Sequence, residues 1–141
     1  MLEFPYMQLP GGVTRPMVAV VIEGTKRRRL LDGLLDTGSD RTIFPRREAK
    51  VVGARLPRTA DGATKTAGGV VIEYRLGEVV LELRTAVSVV RWKTKVAFAD
   101  DPLSLIHLGT RGFLEYFHCT FMGPEQKVIL EPRDSLPIPT S

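Results

Sequence analysis

One aspartate, Asp36, stands where an apolar segment of the sequence turns polar. It follows two leucines and precedes Thr37, Gly38 and Ser39 in the stretch LLDTGSDRTIFP (34–45). A charged carboxylate among apolar side chains is costly unless it is paired or hydrogen-bonded. Gly38 lets another backbone approach because it has no Cβ, and the Ser39 hydroxyl can donate a hydrogen bond to Asp36. The stretch therefore predicts a rigid turn that presents one carboxylate in a dry site.

Short apolar segments separated by turn residues fill most of the chain, a pattern typical of β-strands. The predicted strands cover residues 17–23, 29–36, 42–44, 70–76, 78–83, 88–99, 103–109, 119–122 and 127–130. Two short helices are also predicted, one after Pro45 over residues 46–52 and one over residues 110–118. So many short strands with so few helices indicate an all-β fold, either a small barrel or a sandwich.

The composition is that of one globular domain. The chain has 141 residues, of which 43% are hydrophobic and 26% charged, enough to bury a core without disulfides. Cys119 is the single cysteine and cannot form an internal disulfide. The start of the chain lacks a signal-peptide pattern, and no apolar run is long enough to cross a membrane. We therefore expect a cytoplasmic location and no membrane partner.

Charge and metal-ligating residues narrow the possible partners. The net charge of +4 is compatible with nucleic-acid binding, but the densest basic cluster, KRRR (26–29), lies where a hairpin turn is expected. We therefore expect no nucleic-acid partner. His107 and His118 share no metal-ligand spacing with Cys119, and the sequence has no phosphate-binding or dinucleotide-binding loop. We expect neither a metal nor another cofactor.

The stretch 34–45 resembles the catalytic loop of aspartic proteases, whose signature is an apolar pair followed by Asp-Thr-Gly-Ser or Asp-Thr-Gly-Ala. A second stretch, LIHLGTRGFLEYF (105–117), resembles the apolar–apolar–Gly segment that leads into a short helix in that fold. The resemblance spans residues 16–131. It implies a small closed barrel of the retropepsin type with one short helix near the C-terminus. Residues 1–15 would then be an N-terminal extension, and residues 132–141 a flexible proline-rich tail.

The resemblance also implies a homodimer. Aspartic proteases use two carboxyl groups that share one proton and hold one water molecule. Asp-Thr-Gly occurs once in this sequence, since LDG (31–33) and ADG (60–62) lack the threonine. The second carboxyl group would then be Asp36 of another copy, related by a two-fold axis as in retroviral proteases. The implied function is an aspartic endopeptidase that cleaves peptides or proteins without a cofactor.

Family analogy gives further residues a role beside the catalytic Asp36. Thr37, Gly38 and Ser39 would support the active-site loop, with Thr37 hydrogen-bonded to the facing loop of the partner. Asp40 would help to hold the substrate backbone and could form an ion pair with Arg111.

The same analogy predicts a substrate-binding flap. In this family a glycine-rich hairpin closes over bound peptide and excludes water. Residues 62–71 are the candidate, with Gly68 and Gly69 near the tip, although their composition fits an ordinary surface loop equally well. Ile106 and Leu108 would line the substrate groove or, equally, belong to the core.

Two other functions stay open beside the peptidase. The first is a catalytically silent module that uses the same fold for dimerisation or peptide binding, because a fold alone does not prove activity. The second is a basic β-barrel that binds RNA, which the sequence favours less because no basic strand carries interleaved aromatic residues.

A site built from two copies makes the active species a dimer. We expect analytical ultracentrifugation across a dilution series to give twice the mass of one chain, with peptide cleavage lost as the dimer dissociates. A single-chain mass at every concentration that supports cleavage would contradict the prediction.

Overall fold

The computed structural model describes residues 1–65, 68–100 and 105–139. These residues form a mostly β structure with one α-helix, α1 (Arg46–Val52), and one 3₁₀ turn at Leu114–Tyr116. The strands are β1 (Leu2–Pro5), β2 (Met7–Gln8), β3 (Thr14–Arg15), β4 (Met17–Glu23), β5 (Arg28–Leu35), β6 (Ile43–Pro45), β7 (Gly62–Lys65), β8 (Val71–Arg84), β9 (Val89–Ala99), β10 (His107–Leu108), β11 (Phe117–Met122) and β12 (Lys127–Pro132).

Six of these strands form a closed ring of hydrogen bonds. Their order is β4-β5-β10-β6-β9-β8, and β8 pairs back onto β4. β7 extends the ring as a hairpin partner of β8. A separate three-stranded sheet has the order β1-β12-β11, and β2 pairs with β3.

The hydrophobic core lies inside the ring because the ring strands alternate in burial. In β4 the side chains of Val18, Val20 and Ile22 are fully buried, as are Leu81 and Leu83 in β8. Each such side chain contributes about 1.5–3 kcal/mol through the removal of apolar surface from water. The same core cluster includes Leu2, Val128 and Leu130, so the three-stranded sheet packs on the ring.

Three aromatic side chains pack together in one part of this core. The ring of Trp92 meets Phe113 and Phe117 edge to face, with centroids 5.3 and 5.2 Å apart. The indole N–H of Trp92 donates to the carbonyl of Gly112 at 2.8 Å, so its polar atom is satisfied inside the core.

β10 lies between two strands that are consecutive in the chain. It runs parallel to β5, with His107 opposite Leu34, and antiparallel to β6, with His107 opposite Ile43. The connection from β5 to β6 is therefore built around the end of a strand that comes about seventy residues later. This connection contains Asp36.

The helix predicted over residues 46–52 is confirmed as α1. It ends at Gly53, whose φ of 83° is accessible to glycine without strain. Both carboxylate oxygens of the buried Glu48 accept hydrogen bonds from Arg29 of β5, at 3.0 and 3.1 Å. Hydrogen bonding to Glu48 raises the pKa of the Arg29 guanidinium and attaches helix α1 to the ring of strands.

Two strand predictions were wrong. β8 runs through Gly77 as one strand instead of breaking there. Gly77 lets the Phe98 ring pack against the strand, because a Cβ at this position would lie 2.9 Å from that ring. The strand predicted over 103–109 is shorter, since β10 covers only His107–Leu108; residues 103 and 104 lie outside the described residues.

The helix predicted near the C-terminus, over residues 110–118, was also wrong. The helical part of this range is a 3₁₀ turn at Leu114–Tyr116, and strand β11 begins at Phe117. Gly112 has a φ of 94°, which interrupts a right-handed helix. Its N–H donates to the Glu115 carboxylate at 2.7 Å.

Residues near each end of the described chain contact the rest of the structure. β1, within the predicted extension, pairs with β12, and Leu2 is fully buried. In the predicted tail, the carbonyl of Pro137 accepts a hydrogen bond from the Lys93 N–H at 2.9 Å. The division into residues 1–15, 16–131 and 132–141 stays a prediction.

No helix in the described part of the chain has the length and apolar character needed to cross a membrane.

Truncating a core leucine should cost far more stability than truncating a surface one. We expect Leu81→Ala to lower the free energy of unfolding by about 2–5 kcal/mol, because Leu81 is fully buried. The matched control, Leu30→Ala, should change it by no more than about 0.5 kcal/mol, because that side chain is 69% exposed. Urea unfolding of both variants measures the difference, and equal losses would contradict the described core.

Candidate active site

The segment that carries Asp36, residues 36–41, is called the Asp36 loop. It leaves the end of β5 and is held by backbone hydrogen bonds to the residues in and after β10. The Asp36 N–H donates to the carbonyl of Leu108 at 3.1 Å, and the Thr110 N–H donates to the carbonyl of Ser39 at 2.9 Å. The loop is therefore attached at both of its sides to one short segment.

Gly109 makes this attachment possible. A Cβ at this position would overlap the carbonyl oxygen of Arg41 and lie 2.5 Å from that of Ser39. Only glycine lets the two backbones come this close. This explains physically why an apolar–apolar–Gly segment accompanies the Asp36 loop.

The Asp36 carboxylate has a donor for each oxygen within its own chain. Oδ1 accepts the N–H of Gly38 at 3.0 Å, and Oδ2 lies 3.0 Å from Nδ1 of His107. The side chain of Asp36 is 30% exposed and that of His107 22% exposed. The expected dry site is thus a half-buried one in the single chain, with the carboxylate oriented by two contacts.

His107 is the residue of this site that sequence reasoning missed. It was considered only as a metal ligand and set aside. The strand register reveals it: His107 pairs with Leu34 in parallel, and Leu34 lies two residues before Asp36. Because side chains two residues apart in a strand share a face, the register directs His107 toward the carboxylate. The register itself is not written in the local sequence.

Ser39 does not donate to Asp36 as predicted. Its hydroxyl donates to the carbonyl of Arg41 at 2.7 Å. A hydroxyl has one proton, so this bond excludes simultaneous donation to the carboxylate. Ser39 therefore braces the Asp36 loop, while Thr37 is exposed on the loop surface.

Asp40 and Arg111 are neighbours through their backbones. The Arg111 N–H donates to the carbonyl of Asp40 at 2.9 Å, and Arg111 also forms a β-bridge with Arg41. Both side chains are exposed. Their proposed ion pair is not among the side-chain contacts within residues 1–65, 68–100 and 105–139, and it stays a prediction.

The predicted flap region forms a hairpin beside the Asp36 loop. β7 pairs antiparallel with β8, and the ladder runs out to Lys65 opposite Val71. Gly68 and Gly69 lie beyond this pair and are exposed, and Gly69 has a φ of 81° that favours glycine. Residues 66 and 67 lie outside the described residues.

Arg41 and Tyr74 connect the hairpin to the loop. The Arg41 Nε donates to the Tyr74 hydroxyl at 3.0 Å, and its guanidinium lies 5.1 Å from the centre of the tyrosine ring. A small cavity of about 90 Å³ separates the hairpin from the loop. Its lining residues come from both: Ser39, Asp40, Arg41, Ile43, Ala63, Thr64 and Tyr74.

Ile106 and Leu108 lie in the hydrophobic core cluster. Their exposures are 7% and 0%. Both side chains pack over Gly33, where a Cβ would lie 2.8 Å from Leu108 and 3.1 Å from Ile106. Of the two roles expected for them, core packing describes their place in this chain.

The sequence matches no family model and no curated protein. Among solved structures, the chain is similar to the EIAV protease complexed with the inhibitor HBY-793. The sequence identity is 25% and the TM-score 0.49, and the match covers 67% of this chain and 81% of the other. At that TM-score the likeness does not by itself establish a shared fold or a shared activity.

A methyl group at Gly109 should disrupt the Asp36 loop. We expect Gly109→Ala to lower the free energy of unfolding by about 1–3 kcal/mol, because the added Cβ meets rigid backbone carbonyls. Gly123→Ala is the matched control, since no atom lies within 4 Å of a Cβ built there. Chemical denaturation compares them. A Gly109 variant as stable as the Gly123 variant would contradict the close approach described above.

Proposed function

We propose that this chain is a retropepsin-like aspartic endopeptidase whose active form is a homodimer, with one carboxyl group from each copy of Asp36. The observation that carries the proposal is the setting of Asp36. It lies in an Asp-Thr-Gly-Ser turn whose backbone is hydrogen-bonded to the segment around Gly109, and 30% of its side chain is exposed.

The chemistry follows from two carboxyl groups that lie close together. Such a pair cannot ionise fully, so one group keeps a proton. The ionised Asp36 takes a proton from water as the water oxygen attacks the peptide carbonyl carbon. The protonated Asp36 of the partner subunit donates its proton to the carbonyl oxygen. Collapse of the resulting diol breaks the C–N bond and returns a proton to the leaving amine.

The surroundings of Asp36 support a role in holding an extended peptide. The hairpin of β7 and β8 stands beside the loop, attached to it through Arg41 and Tyr74. Its outer part carries exposed apolar side chains, Val70 at 53% and Val71 at 58%. A substrate between hairpin and loop would cover these side chains and exclude water from the carboxyl pair.

A second candidate function is a catalytically silent module for dimerisation or peptide binding. The contact between Asp36 and His107 favours it, because it gives the carboxylate a partner within its own chain. The cost of burying Asp36 is then offset without a second copy. In this case Asp36 is a structural residue, and its replacement changes stability instead of turnover.

Replacing Asp36 separates the two functions. We expect Asp36→Asn to lower kcat/KM on a mixed peptide library by about 10²–10⁴-fold, because an amide neither accepts the water proton nor shares one. The matched control is Asp32→Asn, an exposed aspartate on the same strand, which should retain activity. Mass spectrometry of the cleavage products measures both variants.

Two outcomes would decide against the peptidase. Wild-type protein that is dimeric yet cleaves no library peptide would favour the silent module. Cleavage that persists in Asp36→Asn would show that another group carries the reaction. Thermal unfolding of the same variant distinguishes lost chemistry from lost fold.

A further inference from the structure

We propose that His107 is a positioning residue of the carboxyl pair: it fixes the orientation in which Asp36 meets the water molecule and the second carboxyl group. This inference rests on the proposed function. It starts from one contact, the 3.0 Å distance between Nδ1 of His107 and Oδ2 of Asp36.

The contact defines which atom carries a proton. An ionised carboxylate only accepts hydrogen bonds, so Nδ1 must be protonated when Asp36 is charged. The imidazole is then either the neutral Nδ1–H form or the imidazolium. Because Gly38 occupies Oδ1, the two donors together fix the plane of the carboxylate. The second oxygen cannot rotate toward a water molecule or a partner without changing its contact with His107.

The strands hold His107 in this position. It is the first residue of β10, with Leu34 of β5 on one side and Ile43 of β6 on the other. Only 22% of its side chain is exposed. A side chain on a paired central strand is better ordered than one on a free loop, so the donor is held in place before substrate binds.

The elements that adjoin His107 carry other charged groups. β5 carries Arg28, Arg29 and Asp32, the Asp36 loop carries Asp40 and Arg41, and Arg111 follows β10, whereas β6 contributes no titratable residue. Arg41 donates to Tyr74, and Asp32, Asp40 and Arg111 are exposed to solvent. Asp36 is the group whose direct contact with the imidazole the structure describes.

The contact has a predictable effect on turnover. The reaction needs the Asp36 carboxylate aligned with the water molecule and the substrate carbonyl, and a misplaced catalytic group lowers the rate. Without His107 the carboxylate keeps the Gly38 N–H as its described donor and can adopt other orientations. The turnover number kcat should then fall, while KM should change little.

Two substitutions test the donor. His107→Asn keeps an N–H donor near the position of Nδ1, and His107→Leu removes it. We expect kcat to fall by about 10-fold or more in His107→Leu at a similar KM, and to be largely retained in His107→Asn. His118→Leu, at the other histidine of the sequence, whose side chain is exposed, should reproduce the wild-type kcat and KM.

The same kinetics also give the overturning result. If His107 merely packs, the two variants lose rate equally, because neither restores the packing of the imidazole. Equal values of kcat in His107→Asn and His107→Leu would overturn the inference.

A second measurement does not depend on activity. In ¹⁵N NMR we expect the Nδ1 resonance of His107 to shift between the wild type and Asp36→Asn, while that of His118 stays unchanged. An unchanged His107 resonance would overturn the inference even in an active enzyme. If no Asp36-dependent cleavage exists but His107 still shifts with Asp36→Asn, the proposed peptidase fails while the contact stands as a structural one.

Discussion

The hydrogen bonds between β10 and its two flanking strands determine where Asp36 lies. Two residues, His107 and Leu108, occupy the gap between β5 and β6, and Gly109 then brings the backbone against the Asp36 loop. Neither half of this arrangement positions the carboxylate alone. The loop would have no rigid neighbour without β10, and β10 would be too short to persist outside the ring of strands.

The orientation of the Asp36 carboxylate follows from the same arrangement. Its two oxygens face a backbone N–H and an imidazole nitrogen, while part of the side chain remains open to solvent. The carboxylate in this setting is held in one orientation but stays partly accessible to solvent. In the proposed homodimer, a second copy that approaches along the open side would meet a carboxyl group whose geometry already exists in the single chain. Little reorganisation would accompany assembly.

Local patterns in the sequence were sufficient for elements whose partners are near in the chain. The β4–β5 hairpin, helix α1 with its Gly53 end, and the β11–β12 hairpin follow from alternation and turn residues within short windows. The role of Gly77 was predicted wrongly because it depends on packing against Phe98. The segment after Gly109 was predicted wrongly because Gly112 adopts a positive φ. A window of neighbouring residues contains neither fact.

The candidate site shows the same difference between partners that are near in the chain and partners that are far apart. The position of Asp36 after an apolar strand and before a glycine turn was predicted from the residues themselves. The partners of its oxygens were not, because they depend on a parallel pairing across about seventy residues. Ser39 was assigned to the carboxylate on sequence proximity, whereas the turn directs its hydroxyl to Arg41. Proximity along the chain identified the loop but not its hydrogen bonds.

The bond between Arg41 and Tyr74 has a mechanical consequence for the hairpin. It pins the base of β8 to the loop, and the Tyr74 hydroxyl occupies the space where residue 62 would carry a Cβ, so the opposite strand is held there as well. Any swing of the hairpin must therefore pivot farther out, toward the Lys65–Val71 pair. The part of the hairpin that could move is therefore short, and the guanidinium–phenol contact that limits it is anchored two residues before β6.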